Sequence, residues 1–373
     1  MSGIESAGTH GTAAAREYTA GTAERPLDII NLHDLAAQAG RIIPTGPFEY
    51  IAGGAGDEWT LRENTRAFDD VQIIPQFLTG IGTPDTRIEL LGSKPAMPII
   101  VSPTAAHGLA HSSAEGGTAR GAAESGALMC VPTLANMPFE QIGKAASGPK
   151  WFQLYYTADP SVNREMIQRA KAIGCTAVVL TVDAEWAGNR EADRRTGFVY
   201  PTALAFPNVP GARTGISFPE LMKTFKSNLE LSDIEFIRKE ADLPVIVKGI
   251  LSPENAMQCV ERGASAIQVS NHGGRQLDGA PASFKALRGI VEALGGRVPV
   301  ILDSGIRRGS HVFKALAMGA SAVAIGRPVQ YGLALGGWMG VKSVLETLNS
   351  ELRLTMKLAG CENIAGISSR YLG

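Results

Sequence analysis

The feature that most constrains the fold of this chain is a series of eight short apolar runs from residue 98 onward. Continuous apolar runs of this length are typical of parallel strands that are buried on both faces. The segments between most of them carry apolar residues at helical spacing, so each strand is expected to be followed by a helix. Eight such units predict an α/β fold, a (β/α)8 TIM barrel. The runs are residues 98–103, 127–131, 151–155, 177–183, 244–249, 266–270, 298–303 and 322–326.

Two regions do not follow this repeat. Residues 1–24 are rich in Gly, Ala, Thr and Ser and lack the apolar core of a signal peptide, which predicts a flexible N-terminal tail. A weak targeting segment is the alternative. Residues 25–373 are expected to form a single domain, in which a helical extension precedes the barrel. The fourth and fifth runs are separated by residues 184–243, a loop long enough to predict a lid, with a disordered insertion as the alternative.

Composition narrows the range of functions. The formal net charge of the 373 residues is −1, which does not favour nucleic acid or an anionic membrane as partner. No apolar run approaches the roughly 18 residues that a membrane span needs. The four cysteines are far apart and form no CxxC motif, which indicates reduced thiols in a reducing compartment and predicts a cytoplasmic protein.

Two histidines resemble a metal-binding pair. His107 and His111 are four residues apart and lie near Glu115. Gly108 weakens a helix at that point, and no third ligand has the spacing of a metal motif. We therefore predict no metal site.

The residues that follow the sixth run point to acid–base chemistry. Residues 270–276 read Ser-Asn-His-Gly-Gly-Arg-Gln and emerge where the strand ends, the position of catalytic groups in barrels. The imidazole of His272 could accept a proton near neutral pH, and the guanidinium of Arg275 could hold a carboxylate. Asp183, at the end of the fourth run, could orient His272. The alternative for an isolated histidine is a structural role.

Three other strand ends carry candidate binding groups. The turns 305–307 and 326–328 follow strands seven and eight, where barrels often hold a phosphate, and Arg307 and Arg327 add positive charge. Lys248 ends an otherwise apolar strand and must meet an anion there or lose its charge. It could stabilise a reduced cofactor ring, form a structural ion pair or, less simply, form a Schiff base.

Three segments of the chain resemble a known family. Residues 50–58, 270–276 and 303–309 are similar to the FMN-dependent L-2-hydroxyacid oxidases and dehydrogenases, and the similarity covers about residues 28 to 365. Within that family, residues 105–111, 188–190 and 198–201 are most similar to the bacterial L-lactate oxidases.

The resemblance implies FMN as the cofactor and assigns roles by motif. His272 is then the base, Asp183 supports it, Tyr155 meets the substrate hydroxyl, Arg275 fixes the carboxylate, and Lys248 lies near the flavin N1. The implied substrate residues are Tyr50, Tyr155, Arg190, Tyr200, His272 and Arg275, with Tyr200 in the lid, although simple packing is the commoner role of a tyrosine. The implied FMN residues are Pro103, Thr104, Ala105, Gln153, Thr181, Lys248, Ser270, Asp303, Ser304, Gly305, Ile306, Arg307, Gly326 and Arg327.

The implied reaction is the oxidation of a small L-2-hydroxyacid, foremost L-lactate with O2 to pyruvate and H2O2. The alternatives are a dehydrogenase that uses a quinone or cytochrome, a lactate 2-monooxygenase, an FMN isomerase and a non-catalytic flavoprotein. The resemblance also implies a homotetramer. There are two departures from the family pattern. Pro132 stands where the family usually has a serine facing the flavin, a change that could alter flavin potential or oxygen reactivity. A second lid tyrosine is absent near Met222 and Phe225, which leaves the substrate preference open.

Overall fold

A closed barrel of eight parallel strands forms the centre of the computed structural model, which describes residues 18–201, 203–209 and 218–373. Each strand pairs with the next along the chain, and the last strand pairs with the first. The strands are β1 (Ile99–Val101), β2 (Leu128–Pro132), β3 (Lys150–Leu154), β4 (Cys175–Thr181), β5 (Val245–Ile250), β6 (Ala266–Val269), β7 (Val300–Asp303) and β8 (Ala322–Ile325). Every strand overlaps one of the eight apolar runs, which confirms the predicted (β/α)8 barrel.

The strands are apolar along their whole length because both of their faces are buried. Alternate residues point to opposite faces of a strand, and they fall into two separate apolar clusters. Ile100 and Trp151 belong to a small cluster built mainly from strand residues, which fills the barrel interior. Ile99 and Val101 belong to a much larger cluster that also contains the helices.

Helices surround the barrel, and three of them precede it, which confirms the predicted N-terminal extension. Those three are α1 (Asp34–Ala39), α2 (Thr45–Ala52) and α3 (Trp59–Arg66). The others are α4 (Ala114–Ser125), α5 (Phe139–Ala145), α6 (Pro160–Ala172), α7 (Glu191–Thr196), α8 (Phe218–Met222), α9 (Leu231–Ala241), α10 (Pro253–Glu261), α11 (Ser283–Leu294), α12 (Gly309–Ala317) and α13 (Arg327–Ala359).

Local sequence explains where several helices begin and bend. The side chains of Asp159 and Ser252 accept hydrogen bonds from the first turns of α6 and α10, and each helix has proline near its start. Helix α13 bends at Gly336 and Gly337, whose backbone angles are not helical. The bend lets α13 cover the barrel while its first turn stays at the end of β8.

The predicted tail is described only from Tyr18 on, and its first 17 residues lie outside the described part. From there the chain contacts the barrel: the hydroxyl of Tyr18 donates to the carbonyl of Leu109, and the amide of Ser112 donates to the carbonyl of Gly21 at 2.9 Å. These two contacts join the described end of the predicted tail to the loop after β1, while residues 21–24 are exposed. In the part of the chain that is described, no helix is both long enough and apolar enough to cross a bilayer.

The segment between β4 and β5 lies over the carboxyl end of the barrel. Its residues Phe206, Val209 and Leu221 are buried and form a small apolar cluster with Leu134, which follows β2. The amide nitrogen of Lys226 donates to the carbonyl of Tyr156 after β3. In its described parts the segment is thus folded onto neighbouring strand ends, the position expected of a lid.

Candidate active site

The carboxyl ends of the eight strands open into a cleft of about 1080 Å³. Because catalytic groups in barrels lie at this end, the cleft is the candidate active site. Predicted residues on its wall are Tyr50, Pro103, Thr104, Ala105, Tyr155, Arg190, Lys248, His272, Arg275, Asp303, Ser304, Gly305, Ile306, Arg307, Gly326 and Arg327. The other predicted residues, Gln153, Thr181, Asp183, Ser270 and Tyr200, are not among the lining residues.

His272 and Asp183 form a hydrogen-bonded pair at the cleft. Nδ1 of His272 lies 2.9 Å from Oδ1 of Asp183. Burial lowers the pKa of His272, and the negative charge of Asp183 opposes that shift without cancelling it. The ring is therefore neutral near pH 7. Because a carboxylate can only accept, Nδ1 carries the proton, and Nε2 can accept one.

Asp183 is held ionised by its surroundings. Burial acts to raise the pKa of its carboxyl group, but its interaction with His272, including the hydrogen bond, and the charge of Lys248 leave that pKa below its ordinary value. Its Oδ2 is buried and has no hydrogen-bond partner among the described residues. The pair can thus stabilise a proton that arrives at His272.

Two arginines flank an aromatic ring beside this pair. The guanidinium carbons of Arg190 and Arg275 lie 5.5 and 5.3 Å from the centroid of the Tyr50 ring. Burial, followed by repulsion from Arg190 and Arg327, lowers the pKa of Arg275 to about 9. Nη1 of Arg275 donates to the carbonyl of Gly53 at 2.9 Å, which fixes its direction. Concentrated positive charge next to a base suits a small organic anion.

The opposite part of the wall is built around Asp303 at the end of β7. Its carboxylate accepts hydrogen bonds from the hydroxyls of Ser270 at 2.7 Å and Ser102 at 3.3 Å, and it lies 3.5 Å from Nζ of Lys248. Lys248 is 3% exposed, so it meets the anion that its burial requires. The structural ion pair weighed from the sequence is present, and Lys248 also lines the cleft.

The turn after β7 comes close to the N-terminal extension. Gly305 has a φ of +82°, and a Cβ atom there would lie 1.9 Å from the carbonyl oxygen of Asn64. Only glycine fits this position. Beside it, Arg307 is half-buried, and its pKa is lowered to about 10 by loss of contact with solvent and by the charge of Arg327.

Arg327 joins two parts of the wall. Its guanidinium donates to the carbonyls of Ile51, Ala52, Gly53 and Gly273 at 2.8 to 3.2 Å. It also begins α13, whose first amide groups and partial positive charge suit an anion. Arg307 and the start of α13 are therefore the strongest phosphate-binding features of the cleft.

Tyr200, the predicted lid residue, lies in the segment after β4 and packs against the cleft residue Tyr50. Its hydroxyl accepts a hydrogen bond from Nδ2 of Asn136 at 2.8 Å, and its ring centroid lies 6.3 Å from that of Tyr50. It is not among the residues that line the cleft. Burial raises the pKa of Tyr200, so its phenol is protonated.

The two positions at which the sequence departs from the family pattern can also be located in the structure. Pro132 ends β2, and the hydroxyl of the next residue, Thr133, donates to the carbonyl of Gln153 at 2.6 Å and accepts from the amide of Tyr155 at 3.0 Å. The hydroxyl of Thr133 is thus engaged in hydrogen bonds with the backbone of Gln153 and Tyr155. It does not replace the missing serine hydroxyl. Met222 lies on the cleft wall, where the second lid tyrosine was expected.

Sequence reasoning missed several wall residues. Leu134, Trp186 and Gln276 all line the cleft. The side chain of Gln276 donates to the carbonyls of Asp183 and Trp186, both at 2.7 Å, and so joins the loops after β4 and β6. Gln276 closes the run 270–276, which was the available signal. Leu134 and Trp186 carry no motif that marks them.

The histidine pair that resembled a metal motif is engaged in hydrogen bonds. The ring nitrogens of His107 contact the hydroxyls of Thr104 at 2.7 Å and Thr118 at 2.8 Å, and Nδ1 of His111 contacts Ser113 at 2.8 Å. Burial lowers the pKa of His107 to about 4. Within residues 18–201, 203–209 and 218–373, no group of three potential ligands could hold a metal ion.

A (β/α)8 barrel with a buried base and clustered arginines at its carboxyl end defines an enzyme that acts on a small organic anion. Comparison with known proteins gives the particular family. The sequence model of the FMN-dependent dehydrogenases matches residues 39–373, and the chain belongs to this family. Its cofactor is accordingly FMN.

Individual relatives cover nearly the whole chain. The L-lactate oxidase of Streptococcus iniae is 45% identical over 354 residues, 93% of this chain and 87% of that protein. The glycolate oxidase of Spinacia oleracea is 38% identical over 361 residues, 93% and 96% of the two chains. The crystal structure of Pediococcus acidilactici lactate oxidase has a TM-score of 0.91 and 45% identity, covering 95% of this chain and 97% of that one. Mandelate oxidase with (S)-2-phenylpropionate has a TM-score of 0.85 and 38% identity, covering 92% and 98%.

Buried polar atoms beside the cleft indicate whether its residues fit FMN. Nε2 of Gln153 and Oγ1 of Thr181 are buried and have no hydrogen-bond partner among the described residues. Buried polar groups are nearly always satisfied, so a polar ligand is expected beside them. A flavin offers a polar ring edge, and its phosphate suits Arg307 and the start of α13. The residues present therefore fit FMN.

Proposed function

We propose that this protein oxidises a small L-2-hydroxyacid, foremost L-lactate, with O2 to give pyruvate and H2O2. The observation that carries the proposal is the His272–Asp183 pair beside Arg275 and Arg190 on one cleft wall. A 2-hydroxyacid needs a cation for its carboxylate and a base for its hydroxyl group, and this wall offers both. Similarity to proteins described as L-lactate oxidases supports lactate and oxygen.

Substrate binding is assigned to the arginines and tyrosines of the wall. The guanidinium groups of Arg275 and Arg190 would hold the carboxylate, with Tyr50 between them. Burial raises the pKa of Tyr155, so its phenol stays protonated and can hydrogen-bond the substrate hydroxyl. Fixing the acid in this way converts the reaction into one between oriented groups, an effect worth several kcal/mol.

Proton transfer is assigned to His272. Its Nε2 would accept the hydroxyl proton of the substrate, or the α-proton in the alternative mechanism. Asp183 stabilises the resulting imidazolium ion through Nδ1. Bound FMN supplies the two-electron acceptor. Two electrons and two protons leave the acid, so one O2 becomes one H2O2.

The cofactor residues are proposed from the family resemblance, and most of them line the cleft. Lys248, Gln153, Thr181 and Ser270 would meet the ring, with the backbone of residues 103–105 against its face. Asp303, Ser304, Gly305, Ile306, Arg307, Gly326 and Arg327 would hold the ribityl chain and phosphate. The buried positive charge of Lys248 would stabilise negative charge on the ring.

The test is to mix the purified protein with L-lactate, glycolate and L-mandelate and to measure oxygen uptake, peroxide and the organic product. One peroxide and one pyruvate per O2 are expected with L-lactate. Acetate and CO2 in place of peroxide would indicate a monooxygenase. Dye reduction without oxygen uptake would indicate a dehydrogenase that uses a quinone or cytochrome. Failure to oxidise any of the three acids would refute the proposal.

We propose that residues 25–373 act as one domain, that the chain forms a homotetramer and that it works in the cytoplasm. The family resemblance supports the tetramer, and four free buried cysteines suit a reducing compartment. Light scattering should give a mass of about 157 kDa, four times the 39.3 kDa chain. A mass of one or two chains would refute the tetramer, and cell fractionation tests the location.

A further inference from the structure

Asn136, in the loop after β2, joins three loops at the carboxyl end of the barrel. Its Oδ1 accepts a hydrogen bond from the amide of Gly108, after β1, at 2.9 Å. Its Nδ2 donates to the hydroxyl of Tyr200 at 2.8 Å and to the carbonyl of Ala205 at 3.0 Å, both after β4. One side-chain amide thus connects the segment over the cleft to the loops beneath it.

The orientation of this amide is determined by its partners. The amide of Gly108 can only donate and the carbonyl of Ala205 can only accept, so Oδ1 must face Gly108 and Nδ2 must face Ala205. A Cβ atom at Gly108 would lie 2.8 Å from Oδ1 of Asn136 and 2.9 Å from Leu204, so the loops are in close contact here.

A buried carboxylate holds the backbone of Asn136 in place. Glu115 is 0% exposed and accepts hydrogen bonds from the amides of His107, Asn136 and Met137 at 3.0 to 3.2 Å. These bonds tie the loop after β2 to that after β1. Asn136 therefore has its backbone and its Oδ1 anchored, and only its Nδ2 contacts the segment above.

The anchored amide of Asn136 determines how the hydroxyl of Tyr200 is oriented. Both hydrogens of Nδ2 are used, one on Tyr200 and one on Ala205. Since the phenol oxygen accepts from Asn136, its own proton points away from that amide. The ring of Tyr200 stacks on Phe206 with centroids 4.9 Å apart and meets Tyr50, a cleft residue, edge-on at 6.3 Å.

We propose that Asn136 is a positioning residue for substrate binding. Its amide fixes the hydroxyl of Tyr200, whose ring packs against Tyr50, and keeps the chain at Tyr200 and Ala205 seated over the cleft. The inference rests on the proposed function, because it deepens the description of how the same cleft retains a 2-hydroxyacid. Asn136 does not touch the reacting atoms and acts through Tyr200.

The test is a double-mutant cycle of Asn136→Ala and Tyr200→Phe, with KM and kcat measured for L-lactate. Each single variant should raise KM about tenfold, the loss expected for one or two hydrogen bonds, while kcat changes much less. Both changes remove the same interaction, the hydrogen bond between Asn136 and Tyr200. The double variant should therefore be no worse than either single variant. Effects on KM that multiply in the double variant would overturn the proposal.

Asn208 provides the matched control. It is more buried than Asn136, lies in the same segment after β4 as Tyr200, and contacts the loop after β2 through the carbonyl of Met137 and the amide of Phe139, both at 2.9 Å. It has no hydrogen bond to Tyr200 in the described structure. Asn208→Ala should therefore weaken the segment, and its effect should multiply with that of Tyr200→Phe.

A second readout does not depend on turnover. The rate of trypsin cleavage after Lys223, in the segment above the cleft, should rise several-fold in Asn136→Ala, and Tyr200→Phe should add nothing further. Independent increases would overturn the inference even if no 2-hydroxyacid is oxidised, so its failure is distinguishable from failure of the proposed function. If Asn136→Ala is insoluble, Asn136→Ser, whose shorter side chain cannot reach Tyr200, takes its place in both cycles.

Discussion

Replacing Asp183 with asparagine removes one negative charge from beside His272 and keeps the shape of the side chain. The Nδ1–Oδ1 contact of 2.9 Å places the two charge centres roughly 4 Å apart, a separation at which unit charges attract by about 4 kcal/mol at an effective dielectric constant of about 20. That attraction exists only once His272 has gained a proton. Since about 1.36 kcal/mol is tenfold in rate, kcat/KM for L-lactate should fall about 10³-fold.

The pH dependence of kcat/KM provides a second, independent test of the interaction between Asp183 and His272. Burial lowers the pKa of His272 and Asp183 raises it, with a net value below the usual one of about 6.5. The base is neutral above this pKa, so kcat/KM should rise with pH and level off below pH 6.5. Asp183→Asn removes the raising influence, and the rising limb should move to lower pH while the plateau falls.

The assay is oxygen uptake under initial-rate conditions across the acidic range, with FMN content measured for each preparation. Asp233→Asn is the control, because Asp233 is also a largely buried carboxylate paired with a cation, Lys226 at 2.8 Å, but lies in α9. It should leave kcat/KM unchanged. A fall of less than tenfold for Asp183→Asn, or a limb that moves to higher pH, would refute the reasoning.

Three other substitutions test other parts of the cleft. Lys248→Met leaves Asp303 buried without its cation, so the free energy of unfolding in urea should fall by about 3 kcal/mol, and an unchanged midpoint would contradict the ion pair. Gly305→Ala places a methyl group 1.9 Å from the carbonyl of Asn64, and FMN should be lost on desalting; full retention of the yellow colour would count against the close contact. Arg275→Lys keeps a cation but loses the planar fork, so KM for L-lactate should rise about 100-fold, and an unchanged KM would remove Arg275 from carboxylate binding.

The barrel could be predicted because parallel strands buried on both faces must be apolar throughout, and eight such runs are visible without any knowledge of contacts. Residues at strand ends, such as Lys248 and His272, could be placed for the same reason, since the ends of neighbouring strands meet at one edge. The contacts of Tyr200 could not be predicted. They depend on Asn136, 64 residues away, and on how an irregular segment folds back.

Other features of the site depend on contacts between distant residues that no local pattern marks. The backbone of Asn64 limits Gly305 to a glycine, and a turn sequence by itself does not show which carbonyl lies opposite. Glu115 looks like an ordinary acidic residue in the first turn of a helix. Only the fold shows that it is fully buried, that it accepts three amide hydrogens, and that burial raises its pKa to about 7.

The guanidinium of Arg327 donates to carbonyls at the end of α2, as far as 276 residues back along the chain. During synthesis at roughly 5 to 20 residues per second, α2 leaves the ribosome on the order of 15 to 55 s before its partner does. Throughout that interval the early helices lack the cation that secures them to the eighth strand. The part of the cleft wall that Arg327 holds together is therefore among the last parts of the nascent protein to be completed. A product truncated before residue 327 would lack it.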